Sequence, residues 1–125
     1  MKKILIVDDS VKWVEYHIEA IRLLDSFIID TAYSAKAGVA KIEVNIDEPY
    51  DIILTDMQME SDFLPTYAGE WFIRQIRTFK QYDNTKIVII SATSDIKNVA
   101  ERNNVLYLPK YLCTDLKRYA IIKEL

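Results

Sequence analysis

Two apolar runs that each end in aspartate constrain this chain more than any other feature. Asp51-Ile52-Ile53-Leu54-Thr55-Asp56-Met57-Gln58-Met59 leads from branched apolar residues into Asp56 and a Met-Gln-Met loop. Ile4-Leu5-Ile6-Val7 runs likewise into Asp8 and Asp9. Short apolar runs without polar alternation read as strands buried on both faces, the habit of parallel sheets covered by helices. Open α/β sheets place their ligand sites at the carboxyl ends of such strands. If the two strands are neighbours, three carboxylates converge at one sheet edge, and that arrangement calls for a cation.

Along the chain, apolar strands alternate with helical patterns five times. The expected strands are Ile4 to Val7, Phe27 to Tyr33, a strand ending at Asp56, Lys86 to Ile90, and Val105 to Leu108. Asp9 or Ser10 can cap a first helix carrying Val11, Val14, Ile18 and Ile21 through about Leu24. Ser34 caps a second, with Ala37, Ala40, Ile42 and Val44 on its apolar side. Gly69 opens a third, with Phe72, Ile73, Ile76 and Phe79 buried. A short polar helix spans about Asp95 to Asn103, and Leu112, Leu116 and Ala120 mark the last. The pattern predicts an α/β fold, a doubly wound five-stranded parallel sheet, with residues 1–125 as one domain.

Charge and composition narrow the function. A formal net charge of −3 argues against a general nucleic-acid or membrane-surface binder. The single cysteine, Cys113, excludes an intramolecular disulfide and a CxxC metal site. No run approaches a membrane span, and the apolar stretch after Met1-Lys2-Lys3 is too short for a signal peptide, so a cytoplasmic protein is the expectation. His17, the sole histidine, is expected on the solvated surface of the first helix.

The strand ends carry the chemistry: Asp8 and Asp9 on the first, Asp56 on the third, Ser91 on the fourth and Lys110 on the fifth. Carboxylates and water suit Mg²⁺, a hard cation that keeps part of its hydration shell. A carboxylate beside such a metal can attack phosphorus and form an aspartyl-phosphate. The metal, the Lys110 ammonium and the Ser91 hydroxyl would then neutralise the phosphoryl oxygens.

Four blocks in order, Lys3-Ile4-Leu5-Ile6-Val7-Asp8-Asp9-Ser10, Ile53-Leu54-Thr55-Asp56-Met57-Gln58-Met59, Ile90-Ser91-Ala92 and Tyr107-Leu108-Pro109-Lys110, resemble the receiver domains of two-component response regulators over essentially the whole chain. The resemblance implies a flavodoxin-like (βα)5 receiver of the single-domain, chemotaxis type. It implies Asp56 as phosphoacceptor, Asp9 as direct Mg²⁺ ligand, Asp8 acting mainly through water, and the Gln58 carbonyl completing the metal shell. Ser91 corresponds to the switch hydroxyl, Lys110 to the phosphate-binding lysine and Tyr107 to the aromatic that changes rotamer. The implied donor is a phosphohistidine of a sensor histidine kinase or phosphotransfer protein. Output would be binding to a downstream protein rather than to DNA, and the domain would not be an enzyme in the usual sense.

The chain also departs from the pattern. Tyr111 stands where the family usually has proline after the lysine, Glu60 replaces a proline, and Gly69 comes about five residues late. Glu60 to Ala68, with Asp62, Phe63, Leu64 and Tyr67, is therefore expected at the pocket rim, as a lid or as extra core. Two rivals remain: a pseudo-receiver that binds protein without phosphorylation, and an aspartate-nucleophile phosphatase of the haloacid-dehalogenase type. The second needs an Asp two residues after the nucleophile, where this chain has Gln58.

Overall fold

The computed structural model describes residues 1–59, 67–113 and 116–125. Among them lie strands β1 (Lys2–Val7), β2 (Phe27–Ala32), β3 (Ile52–Asp56), β4 (Lys86–Ser91) and β5 (Leu106–Pro109). Helices α1 (Val11–Leu24), α2 (Ala35–Val44), α3 (Ala68–Ile76), α4 (Ile96–Asn103) and α5 (Leu116–Lys123) alternate with them. All strand pairs are parallel, in the order β2-β1-β3-β4-β5. The order reverses direction beside β1, so the chain crosses to the opposite face of the sheet there. Ligand crevices of such sheets open at this switch.

Alternation along each strand divides the core into two. Ile4, Ile6, Ile52, Leu54, Val88 and Ile90 pack with Val14 and Ile21 of α1 and Tyr119 and Ile122 of α5. Leu5, Val7, Ile53, Ile87 and Ile89 face Ile42 of α2, Phe72 and Ile76 of α3, and Val99 of α4. β3 is buried along its whole length, which is why its sequence shows no polar alternation.

The helix boundaries follow local signals. Ser10 caps α1, its Oγ accepting from the Trp13 backbone N–H at 3.3 Å, and Ser34 caps α2 in the same way at 3.0 Å from Ala37 N. The buried faces differ from expectation in two helices. In α1 the buried residues are Val14, His17, Ala20 and Ile21, whereas Val11 is exposed. His17 is not on the surface. Positions 14, 17 and 21 share one helical stripe, and a histidine can occupy it because its Nδ1 hydrogen-bonds the Tyr119 hydroxyl of α5. Burial drives its pKa down to about 4, so the imidazole is neutral at neutral pH.

In α2, Ala37, Ala40 and Val44 are exposed, and Ala35, Gly38 and Ile42 face the core. Gly38 makes room for Phe72, whose ring would lie 2.8 Å from an added Cβ. Among the described side chains of α5, Tyr119 and Ile122 are buried and Ala120 is half-buried. Helix α2 misleads by sequence because bulk on a facing element, not local apolarity, selects the inward residues. Residues 60–66, most of the expected lid segment with Asp62, Phe63 and Leu64, lie outside the described residues. Tyr67 at its end packs half-buried against the α2–α3–α4 core.

A buried carboxylate ties α3 to α4. Glu70 accepts from Arg102 Nε at 2.7 Å and Arg102 Nη2 at 2.8 Å, and from Asn103 Nδ2 at 2.9 Å. These donors hold its pKa down at about 2 despite burial. Because that value lies below the unfolded one, the stabilisation is complete above about pH 4.5 and is lost as pH falls toward 2. Glu70→Gln is expected to lower the melting temperature by about 3–6 °C at pH 7, and the deficit should shrink on acidification in a pH series of thermal melts.

Candidate functional site

The site forms where β1 and β3 end side by side. Their register pairs Val7 with Thr55, so one step further Asp8 stands beside Asp56. Asp8 and Asp56 are buried, at 1% and 6% exposure, while Asp9 is more open. Carboxylate oxygens of all three lie within 4.8 Å of one another. The expected convergence of three acids at one sheet edge is therefore present.

Lys110 enters from the end of β5. Its Nζ lies 3.5 Å from Asp8 Oδ2 and 3.6 Å from Asp56 Oδ2, with the side chain only 14% exposed. Among the described residues, one cation against two buried carboxylates leaves the pocket under-neutralised. Burial, followed by the Asp8 charge, pushes the Asp56 pKa up to about 7 against the opposing pull of Lys110 and the Gln58 N–H. Burial also raises Asp8, although the Ser10 N–H donates to its Oδ1 at 2.9 Å. Among the described residues the other oxygen, Asp8 Oδ2, is buried with no hydrogen-bond donor, its nearest cation being the Lys110 ammonium at 3.5 Å. A buried acceptor left open beside two further carboxylates, in an all-oxygen donor set, fits a hard divalent cation such as Mg²⁺.

The remaining expected residues sit as follows. Ser91 ends β4, buried at 2%, and its Oγ accepts from Thr93 N at 3.2 Å. Gln58 lies two residues beyond Asp56 with an exposed side chain. Tyr107 lies on β5 beside Ile89 and is 38% exposed, so its ring is turned partly outward.

Two residues that hold the site together were not assigned a role there from sequence. Gly69, in the first turn of α3, donates its N–H to Met57 O at 2.9 Å, and an added Cβ would sit 2.1 Å from Asp56 O. Trp13, in the first turn of α1, places its ring under the Lys110 ammonium, 4.9 Å from the centroid. Its signal was available in the sequence, since an aromatic four residues after Asp9 on a helix opening from β1 must lie near the strand ends.

A profile of the response regulator receiver domain matches residues 4–114. The chain belongs to that family. Receivers serve two-component systems as signalling phosphoacceptors, bind Mg²⁺ at an acidic pocket, and interact with histidine kinases or phosphotransfer proteins. No curated protein matches the sequence closely enough to count as a relative. Among solved structures, this receiver resembles the chemotaxis response regulator CheY4 of Vibrio cholerae, with a TM-score of 0.79 at 21% identity over 100% of this chain and 99% of that one. It also resembles the response regulator TrrA of Thermotoga maritima in complex with Mg²⁺-BeF, with a TM-score of 0.75 at 25% identity and 100% coverage of both chains. The receiver domain of the histidine kinase CKI1 of Arabidopsis thaliana matches with a TM-score of 0.76 at 20% identity, covering 98% of this chain and 88% of that one. The flavodoxin-like fold expected from sequence is thus the fold of this receiver. Among the described residues no helix is long and apolar enough to cross a membrane.

Proposed function

We propose that residues 1–125 act as a cytoplasmic phosphoacceptor that takes a phosphoryl group on Asp56 from a phosphohistidine of a sensor kinase or phosphotransfer protein. The observation that carries this reading is the placement of Asp56 at the end of the central strand, beside Asp8, with Lys110 bridging the two and Asp9 within reach. An Asp56 oxygen attacks phosphorus, the donor's P–N bond breaks, and the imidazole leaves as the Asp56 O–P bond forms. Lys110 and the Ser91 hydroxyl take phosphoryl oxygens, which keeps the developing charge compensated. Asp8, Asp9, Asp56 and the Gln58 carbonyl would hold Mg²⁺, which when bound supplies electrostatic stabilisation of the transferred group. That TrrA is described with Mg²⁺-BeF supports the same chemistry here. Ser91 and Tyr107 would relay the change to a surface read by a downstream protein, with no direct contact to nucleic acid.

The test is intact mass after incubation with acetyl phosphate and Mg²⁺. The wild-type chain should gain one phosphoryl group, lose that gain in EDTA, and show none as Asp56→Asn. Full labelling of Asp56→Asn would refute the assignment, and an unlabelled wild type would leave the pseudo-receiver reading in its place.

A further inference from the structure

The lysine that closes the pocket is held from an unexpected side. Its ammonium contacts two carboxylates at 3.5 and 3.6 Å and lies over the face of Trp13. Trp13 hangs from the same turn that holds the acids, because the Ser10 N–H donates to Asp8 Oδ1 and Ser10 Oγ accepts from Trp13 N. The next turn of α1 fastens the backbone that carries the lysine. Tyr16 donates its hydroxyl to the Cys113 carbonyl at 2.6 Å, and Cys113 N donates to the Lys110 carbonyl at 3.0 Å. Trp13 and Tyr16 meet edge to face, with centroids 5.6 Å apart. α1 therefore grips both the head and the backbone of Lys110, in a chain with Tyr111 in the position after it.

We propose that Trp13 is a positioning residue for Lys110, presenting a neutral aromatic face that holds the ammonium without taking it from the phosphoryl oxygens. Resting on the phosphoacceptor reading, the proposal adds how this chain aims its lysine. A third carboxylate in this place would trap the ammonium, and an aliphatic side chain would leave it to Asp8 and Asp56. The indole face attracts a cation by its quadrupole, more strongly as water is excluded. When the carboxylates turn to the metal and the phosphoryl group, the ammonium stays within reach and free to donate.

The experiment compares Trp13→Phe with Trp13→Leu, which fill similar space but differ in having an aromatic face. Labelling by acetyl phosphate with Mg²⁺ should slow about tenfold in the leucine variant and recover most of the wild-type rate in the phenylalanine variant. In a Lys110→Ala background, Trp13→Leu should cause no further loss, because the two act as one unit. A second readout needs neither metal nor phosphate: the Lys110 ε-methylene protons should be shifted upfield by the indole ring current, and lose that shift in Trp13→Leu. Far-UV circular dichroism and thermal melts report whether each variant is folded, and the wild-type ε-methylene shift decides the contact even if a variant is not. A leucine variant labelled at the wild-type rate, or Lys110 ε-protons at ordinary shifts in the wild type, overturns the proposal. A wild type that takes no label sinks the phosphoacceptor reading instead, and the ring-current shift then still judges the contact.

Discussion

Gly69→Ala is expected to lower the melting temperature by roughly 10 °C and to slow labelling of Asp56 at least tenfold, a cost of about 3 kcal/mol for overpacking. A Cβ at this position meets backbone, not side chain: Asp56 O at 2.1 Å, Met57 Cα at 2.7 Å and Asp56 C at 3.0 Å. None of these atoms can rotate aside, so either α3 backs away from the sheet or the end of β3 shifts. The second outcome moves the nucleophile itself. Gly38→Ala provides the comparison, because its new Cβ meets the tip of the Phe72 ring at 2.8 Å and a Val7 methyl at 3.3 Å, both on movable side chains. Thermal melts and labelling rates of the two variants side by side check the argument. A Gly69→Ala protein that melts and labels like wild type would mean α3 does not press on the end of β3.

The second large effect runs in the opposite direction. In metal-free buffer at pH 8, Asp56→Asn is expected to be more stable than wild type by about 3 kcal/mol. Burial and the Asp8 charge raise the Asp56 pKa from 3.8 to about 7 in the folded chain. The folded state therefore holds this proton more tightly than the unfolded one. That contribution is fully present below about pH 3.8 and is lost as pH rises through about 7. Asparagine mimics the neutral acid at every pH, so its advantage should grow from pH 5 to pH 8 and fade toward pH 4. Urea melts in EDTA across that range measure it, and added Mg²⁺ should narrow the gap by stabilising the wild type. An asparagine variant less stable than wild type at pH 8 would show that Lys110 more than offsets the burial. A pocket whose charges repel at the expense of stability is a common trade at functional sites.

How much of this could be read from the chain follows from what each feature depends on. The strands were legible because buried parallel strands leave unbroken apolar runs, as in Ile52 to Leu54, and the caps Ser10 and Ser34 act within three residues. The acidic cluster was legible because Asp8 and Asp56 each follow such a run and Lys110 follows another, so the three meet at one sheet edge once the strands are parallel.

What the amino-acid order determined by itself was therefore the α/β class, the strand ends and the residues carried on them. Tertiary structure decided which helical residues face inward: His17 is buried because Tyr119 meets it from α5, and Gly38 because Phe72 fills the space opposite. It decided that the displaced Gly69 still closes on the end of β3, and that Trp13 and Glu70 find partners nearly a hundred and about thirty residues away. Those choices depend on pairs distant in sequence whose cost or gain appears only when the elements are packed, because a polar group or a gap is acceptable in the core only if another element satisfies or fills it.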